Sequence, residues 1–211
     1  MSAPTINLAT EAAPLSDTPL VLLRWMVETG RPGTILEIGT HRGGSAIALM
    51  SLVPGPEHFL VTVDPWGGKP YHGEASPLDW NDDAQREAMV NLSIAAARHG
   101  VNWHHLKMTS DEALSFMSGR TAWYGGVCRP YGFDTVFLDG EHWWTTMRSE
   151  LIRILLKPTT VIFVDNVNHA QPEGDKPLKD RLLEYAASMD LQVETRSDHG
   201  DEMMRLAVGK S

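Results

Sequence analysis

Five short apolar segments alternate with helical patterns, and this alternation limits the fold of the chain more than any other feature. The apolar segments cover residues 34–39, 58–64, 101–107, 133–139 and 161–165. Helical periodicity predicts helices at residues 18–28, 45–53, 82–99, 110–117, 144–156 and 177–189. Strands that alternate with helices form a mainly parallel sheet with right-handed crossovers, so the sequence predicts an α/β fold.

The two ends of the chain extend this core. Residues 191–195 and 203–208 predict two strands around a turn at residues 197–200, which together form an antiparallel hairpin. The N-terminal segment, residues 1–30, is expected to be helical and to cover a sheet edge or a cofactor pocket. The complete prediction is a Rossmann-like sheet of seven mainly parallel strands with helices on both faces and a C-terminal antiparallel hairpin.

Composition excludes several classes of protein. The 211 residues fit one domain, residues 1–211. A net charge of −9 argues against binding to nucleic acid, and no apolar stretch approaches the roughly 20 residues that span a bilayer. The single cysteine, Cys128, cannot form an internal disulfide, and the first residues lack the pattern of a secretory signal. We therefore expect a cytoplasmic protein with a small-molecule partner and no membrane partner, and a homo-oligomer stays open.

The first strand leads into a glycine-rich turn at residues 37–45, with the sequence EIGTHRGGS. Glycines permit a tight turn and close ligand approach, and a helix N-terminus offers N–H groups to an anion. Gly39, Gly43, Gly44 and Ser45 are therefore candidates for binding the negative end of a zwitterion. The spacing departs from the G-x-G-x-x-G pattern of nicotinamide-binding proteins, and packing alone is the alternative explanation.

Asp64 follows the second strand at the interval expected in a βαβ unit. A carboxylate at this position can accept hydrogen bonds from both hydroxyl groups of a ribose. The alternative is that Asp64 caps a turn or a helix.

The glycine-rich turn and Asp64 resemble class I S-adenosylmethionine-dependent methyltransferases, and the resemblance extends over residues 20–208. It implies that the turn holds the methionine part of the cofactor, that Asp64 holds the ribose, and that the segment around Thr109 and Ser110 borders the adenine. The cofactor-binding residues that it implies are Glu37, Gly39, Thr40, Gly43, Gly44, Ser45, Asp64, Pro65, Trp66, Thr109, Ser110 and Asp139.

Two further carboxylates end apolar strands, Asp139 and Asp165. Adjacent strands would bring both together with the side-chain carbonyl oxygen of Asn166, and three hard oxygen ligands suit Mg²⁺. Calcium and manganese are alternatives, and so is a purely structural capping role for these side chains.

The segments FDTVFLDGEH at residues 133–142 and VIFVDN at residues 161–166 resemble metal-dependent O-methyltransferases. The catechol type shares the Asp with Asp-Asn pattern, and the macrolide-sugar type shares Asp-Gly-x-His. The catechol type has Lys where this chain has His142, and the sugar type has Glu-Asp in place of Asp165 and Asn166. The chain therefore lies between the two subfamilies.

The resemblance also implies a mechanism. A metal would bind the substrate hydroxyl, stabilise its alkoxide or phenolate and orient it toward the sulfonium methyl group. His142 would then take the proton as the catalytic base, although helix capping is its alternative role.

Residues 66–81 form a long insert rich in glycine, proline and aromatic residues, and a loop of this length is typical of a lid. The candidate substrate-binding residues are Lys69, Tyr71, His72 and Trp80 in this insert and His169 in a later loop. Aromatic residues that only cover the core are the alternative.

The sequence thus predicts a metal-dependent O-methyltransferase that acts on a hydroxyl of a small molecule, sugar-like or phenolic. The alternatives are a metal-independent methyltransferase of the same fold and a cofactor-binding protein without catalysis.

Overall fold

The computed structural model describes residues 18–31, 33–66, 82–118, 121–124, 127–130, 132–154, 160–168 and 176–208. For residues 82–84, 121–124 and 127–130 it describes the backbone. Most of the predicted lid, residues 67–81, and the candidate substrate residue His169 therefore lie outside the described residues.

Nine strands and six helices lie in these described ranges. The strands are β1 Thr34–Ile38, β2 Phe59–Val63, β3 Asn102–Leu106, β4 Thr121–Tyr124, β5 Val127–Pro130, β6 Thr135–Leu138, β7 Val161–Val164, β8 Leu191–Asp198 and β9 Asp201–Val208. The helices are α1 Leu20–Thr29, α2 Gly44–Leu52, α3 Asp82–His99, α4 Ser110–Met117, α5 Trp144–Arg153 and α6 Leu178–Ser188.

Seven of the strands form one sheet in the order β3-β2-β1-β6-β7-β9-β8. The pairs among β3, β2, β1, β6 and β7 are parallel, whereas β9 is antiparallel to both β7 and β8. This arrangement confirms the predicted Rossmann-like sheet with its C-terminal hairpin. The small antiparallel pair β4–β5 was not predicted.

Both faces of the sheet are covered by helices. One cluster of buried apolar side chains joins the sheet to α4, α5 and α6, and a second joins it to α1, α2 and α3. Every residue of β2 is buried for this reason, which explains why its sequence is apolar except for Thr62 instead of alternating.

The strands of the C-terminal hairpin are longer than their hydrophobic patterns predict. The turn consists of His199 and Gly200, with φ angles of +50° and +102°. Two successive residues at positive φ match the twist of the flanking strands, so pairing continues to Asp198 and Asp201. Most side chains of β8 are exposed, which is why apolar alternation alone underestimates its length.

Register places the polar strand ends at one edge of the sheet. Ile38 pairs with Val63 on one side and with Leu138 on the other, and Leu138 pairs with Val164. The residues that follow these four positions are therefore neighbours, and they are Gly39, Asp64, Asp139 and Asp165. Among the described helices, none is long and apolar enough to cross a membrane.

Candidate active site at the carboxyl ends of the strands

Gly39 begins the glycine-rich turn and lies against the end of β6. Its φ is +97°, and a Cβ atom built there would lie 2.2 Å from the backbone oxygen of Asp139. Its N–H group donates to the carbonyl oxygen of Val63 at 3.0 Å. Only glycine fits this position, and it brings the turn close to the carboxylates at the strand ends.

The turn ends at Gly43, which caps the N-terminus of α2 at a φ of +82°. A Cβ atom here would lie 3.0 Å from the side chain of Leu92 on α3. The helix starts at Gly44, one residue before the predicted start, and the preceding Thr40 is buried with its hydroxyl near the carbonyl oxygen of Val63.

Glu37, in β1 just before this turn, is a fully buried acid. Its Oε1 accepts a hydrogen bond of 2.6 Å from Ser45 Oγ, and its Oε2 has no hydrogen-bond partner among the described residues. Burial away from water raises the pKa of Glu37 to about 8, the Ser45 hydrogen bond opposes this shift, and the charge of Asp64 adds to it. A cationic group that approached Oε2 would stabilise the ionised form.

Asp64 has both carboxylate oxygens bonded to the backbone. Oδ2 accepts from the N–H group of His41 at 2.8 Å, and Oδ1 accepts from that of Trp66 at 2.9 Å. These bonds are the capping role named above as the alternative. Each oxygen keeps a second lone pair, so ribose binding by Asp64 stays a prediction.

Trp66 is 1% exposed and belongs to the core instead of an open lid. Its ring stacks on His105 with centroids 4.1 Å apart, and its Nε1 donates to the carbonyl oxygen of His41 at 2.7 Å. Burial lowers the pKa of His105 to about 4, so this ring is neutral. Both backbone polar groups of His41, whose φ is +44°, are thus held by Asp64 and Trp66.

We call the interaction of Asp64 and Trp66 with the backbone of His41 the turn clamp. Left-handed backbone at a residue other than glycine costs about 1–3 kcal/mol, and it persists where surrounding bonds enforce it. The clamp therefore holds the glycine-rich turn in its observed shape. Pro65, between its two members, is half-buried.

The two residues predicted to border an adenine have structural partners. Thr109 caps α4 through a reciprocal pair of hydrogen bonds with Glu112. The hydroxyl of buried Ser110 is hydrogen-bonded to Glu150 on α5. Burial raises the pKa of Glu150 to about 7, and sequence analysis missed this acid because a helix pattern does not reveal an inward-facing carboxyl group. The adenine contact itself stays a prediction.

The ends of β6 and β7 bring Asp139 and Asp165 together, as the sequence predicts. Burial raises the pKa of Asp139 well above its usual value, and the charges of Asp165 and Glu37 raise it further. The two carboxyl groups follow paired positions of β6 and β7, and they interact closely enough to affect each other's pKa. Asp165 is 1% exposed, and its Oδ1 has no hydrogen-bond partner within the described ranges.

Thr18 is a member of this site that sequence analysis missed. Its hydroxyl donates to Asp165 Oδ2 at 2.8 Å and lies 3.4 Å from Asp139 Oδ2. The residue precedes α1, and the only signal at that position was a helix start. We call Asp139, Asp165 and Thr18 the oxygen cluster.

Asn166 does not present its amide oxygen to this cluster. Its Nδ2 donates to Asp165 Oδ2 at 3.3 Å, on a backbone with a φ of +50°. The amide thus supports Asp165, and ligation by its oxygen would require the group to turn over. In the described part of the chain, no three His, Cys, Asp or Glu side chains are grouped to hold a metal ion.

His142 lies in the loop between β6 and α5, three residues after Asp139, and is half-buried. Its role as the base stays a prediction. Four other predicted residues, Lys69, Tyr71, His72 and Trp80, lie outside the described residues.

Comparison with known proteins agrees with this fold. A family described as a methyltransferase domain matches residues 36–167, which is more than half of the chain. The chain belongs to this methyltransferase family, and the prediction of a class I S-adenosylmethionine-dependent methyltransferase is confirmed. None of the curated proteins matches the sequence significantly.

Solved structures with the same fold include three from bacteria. An O-methyltransferase from Bacillus cereus in complex with SAH is 20% identical, with a TM-score of 0.59, and the match covers 93% of this chain and 83% of that one. TomG from Streptomyces achromogenes, an O-methyltransferase involved in tomaymycin synthesis and solved with SAM, is 22% identical, with a TM-score of 0.58 and coverage of 93% and 82%. Cofactor-bound Rv0187 from MTB is 18% identical, with a TM-score of 0.60 and coverage of 94% and 83%.

Proposed function

We propose that this methyltransferase transfers the methyl group of S-adenosylmethionine to a hydroxyl of a small molecule. A divalent cation assists the transfer, and Mg²⁺ is the cation proposed first. The observation that carries the proposal is that Asp139 and Asp165 both lie within 3.4 Å of the Thr18 hydroxyl, beside the Gly39 turn. The O-methyltransferases from B. cereus and S. achromogenes, solved with SAH and SAM, support the cofactor and the oxygen acceptor.

The physical argument for a cation begins with the cost of the carboxylate pair. Two carboxylates that are buried side by side cannot both be ionised unless a positive charge compensates them. Burial and the charge of Asp165 raise the pKa of Asp139 well above its usual value, and Oδ1 of Asp165 has no hydrogen-bond partner within the described structure. A divalent cation would neutralise both charges, and carboxylate oxygens are the ligands that Mg²⁺ prefers. The residues present therefore fit such an ion.

Five residues of the site have a defined role in this proposal. Asp139 and Asp165 would hold the cation, which would supply charge stabilisation for the oxygen of the acceptor. The turn that begins at Gly39 would seat the methionine part of the donor, with Glu37 facing its positive end. His142 would accept the proton of the acceptor hydroxyl.

The acceptor is proposed to be a sugar-like or phenolic hydroxyl with a neighbouring oxygen. A neighbouring oxygen would reach the same cation and fix the direction of attack on the methyl group. The match of His142 to the sugar-type pattern and of Asp165 and Asn166 to the catechol type leaves both acceptor classes in the proposal.

The test combines chelation with a matched set of variants. Methyl transfer to a panel of vicinal diols and catechols should stop with EDTA and return when Mg²⁺ is added in excess. Asp139→Asn and Asp165→Asn should each lower kcat/KM at least about 100-fold, because each removes a ligand of the charge-stabilising ion. Asp180→Asn, the same change at an exposed position on α6, should leave the rate unchanged.

A metal-independent methyltransferase of the same fold is the second candidate. It is favoured by the hydroxyl of Thr18 and the amide of Asn166, which already bond Asp165 Oδ2. Full activity in the presence of EDTA would establish this candidate and contradict the first.

A further inference from the structure

Thr18 contacts Asp139 and Asp165 although it lies far from both in the sequence. It is separated from Asp139 by 121 residues and from Asp165 by 147 residues. Its side chain is 1% exposed, so its hydroxyl is withdrawn from water and directed at two acids. A threonine placed at such a position serves either to bridge the acids or to ligate what binds between them.

The distances from the Thr18 hydroxyl to the two acids fit adjacent positions of an octahedral site. Ligands of Mg²⁺ lie about 2.1 Å from the ion, so two adjacent ligands of an octahedron are about 3.0 Å apart. The hydroxyl of Thr18 lies 2.8 Å from one carboxylate oxygen and 3.4 Å from the other. These distances bracket the required value, and the hydroxyl would ligate through a lone pair with its proton turned away.

We propose that Thr18 supplies the third protein oxygen of the cation site, in the position that the sequence pattern assigns to Asn166. The inference rests on the proposed function, since it adds a ligand to the same site. In this arrangement two donors are carboxylates, and the third is a hydroxyl from another part of the chain.

Helix α1 holds Thr18 at the required position. The carbonyl oxygen of Pro19 accepts from the N–H groups of Leu22 and Leu23, and both of these side chains are fully buried. At the other end of the helix, Arg31 exchanges two hydrogen bonds of 2.8 Å with the hydroxyl of Thr135, at the start of β6.

The lengths of the two elements agree with this arrangement. The ten residues of α1 span about 15 Å, and the stretch of β6 from Thr135 to Asp139 spans about 13 Å. The residues that flank α1 therefore contact the two ends of β6, and Thr18 lies at the carboxyl end of the strand. Cation binding should consequently tighten the attachment of α1 to the sheet.

The test measures Mn²⁺ binding to the cofactor-free protein by electron paramagnetic resonance, without any turnover. Thr18→Val removes the hydroxyl and keeps the shape of the side chain, and it should weaken Mn²⁺ affinity by at least about tenfold. Thr18→Ser keeps the hydroxyl and should bind Mn²⁺ within about threefold of the wild type. Asn166→Ala removes a hydrogen bond to Asp165 and should weaken Mn²⁺ affinity less than Thr18→Val does.

Three further results separate the inference from the proposed function. Wild-type affinity in Thr18→Val, with binding lost in Asp139→Asn, would overturn the role of Thr18 and leave the metal-assisted reaction intact. A larger loss in Asn166→Ala than in Thr18→Val would restore Asn166 as the third ligand and overturn the inference. Absence of Mn²⁺ binding in the wild type would contradict both.

The fold of each variant is checked by thermal unfolding without Mn²⁺. Thr18→Ala serves as a second variant without the hydroxyl if Thr18→Val does not fold. Excess Mn²⁺ should raise the unfolding temperature of the wild type and of Thr18→Ser more than that of either hydroxyl-free variant, because only a bound ligand stabilises the native state. Equal increases in all four proteins would contradict the inference.

Discussion

The carboxylates in the two halves of the strand edge differ in how they are hydrogen-bonded. At the end of β2, Asp64 has each oxygen bonded to a backbone N–H group, one from His41 and one from Trp66. At the ends of β6 and β7, Asp139 and Asp165 face each other, and Asp165 Oδ1 has no partner among the described residues. A carboxylate with bonded oxygens holds the backbone in place, whereas one with an open oxygen is available to a ligand.

This difference separates the part of the site that holds the backbone in shape from the part that is available for ligand binding. The turn clamp fixes the shape of the cofactor turn, and its hydrogen bonds to Trp66 and His41 oppose the rise in the pKa of Asp64 that burial causes. The oxygen cluster stores unfavourable charge, because burial and mutual repulsion raise the pKa of Asp139. Gly39 connects the two halves, since its own backbone lies against Asp139.

The largest effect is expected where the two halves meet. Gly39→Ala places a Cβ atom 2.2 Å from the Asp139 carbonyl oxygen at a φ of +97°, so the turn or the β6 end must move. The free energy of unfolding should fall by about 3 kcal/mol or more, and cofactor binding should be lost. Urea denaturation and cofactor titration measure the two effects.

Gly100→Ala is the matched control for this change. Gly100 has a φ of +69°, but nothing lies within 4 Å of a Cβ atom built there. It should cost about 1–2 kcal/mol from backbone strain alone and leave cofactor affinity unchanged. Equal losses in both variants would mean that the close approach to Asp139 has no special role.

Glu150, a buried acid away from both halves, shows what the burial of a carboxyl group costs. Burial raises the pKa of Glu150 to about 7 from an ordinary value of 4.5. At pH 4 the carboxyl group is protonated in the folded and unfolded states alike, so no penalty exists. As the pH rises toward 7 only the unfolded state loses the proton, and the folded state is penalised by the order of 3 kcal/mol.

Glu150→Gln should remove this penalty. The amide oxygen can still accept from Ser110, so the variant should equal the wild type near pH 4 and be more stable by the order of 3 kcal/mol at pH 8. Urea denaturation at the two pH values measures the difference. A stability difference that does not change with pH would show that Glu150 has the same pKa in both states.

The smallest effect is expected within the turn clamp. Trp66→Phe removes the bond from Nε1 to the His41 carbonyl oxygen and retains an aromatic ring beside His105. It should cost about 1 kcal/mol of stability and weaken cofactor binding by about tenfold, because the turn loses one of its restraints. Isothermal titration with S-adenosylhomocysteine measures the affinity.

Trp103→Phe provides the control on the same side of the sheet. Its Nε1 donates to the hydroxyl of Thr62 at 3.1 Å, so the variant loses an equivalent bond that does not touch the turn. It should leave cofactor affinity as it is. Similar weakening in the two tryptophan variants would argue against a specific role of the clamp.

Much of the fold could be predicted because the strands are short, apolar and separated by helical patterns. The predicted α4 matches the observed helix at both ends, and the parallel strands differ from prediction by one or two residues. The β4–β5 pair was missed because its strands have only four residues each, too few to show a periodic pattern. The predicted strand ends were therefore accurate enough to place Asp139 and Asp165 next to each other.

Directions of side chains were harder to predict than positions. Trp66 was predicted as part of a lid, yet the backbone turns its indole inward onto His105. Asn166 was predicted to offer an oxygen, yet its amide nitrogen faces Asp165. A sequence records which residue follows a strand, but the backbone and side-chain torsion angles at that residue decide where its side chain points.

By itself the sequence determined the order of strands and helices, the sheet edge that carries the acids and the methyltransferase family. Hydrophobic periodicity and glycine are local signals, so they can be recognised without coordinates. Only the tertiary structure decided that Thr18 meets Asp139 and Asp165, because contacts across more than a hundred residues depend on how α1 packs along β6. The same packing withdraws these oxygens from water, which raises the pKa of both acids.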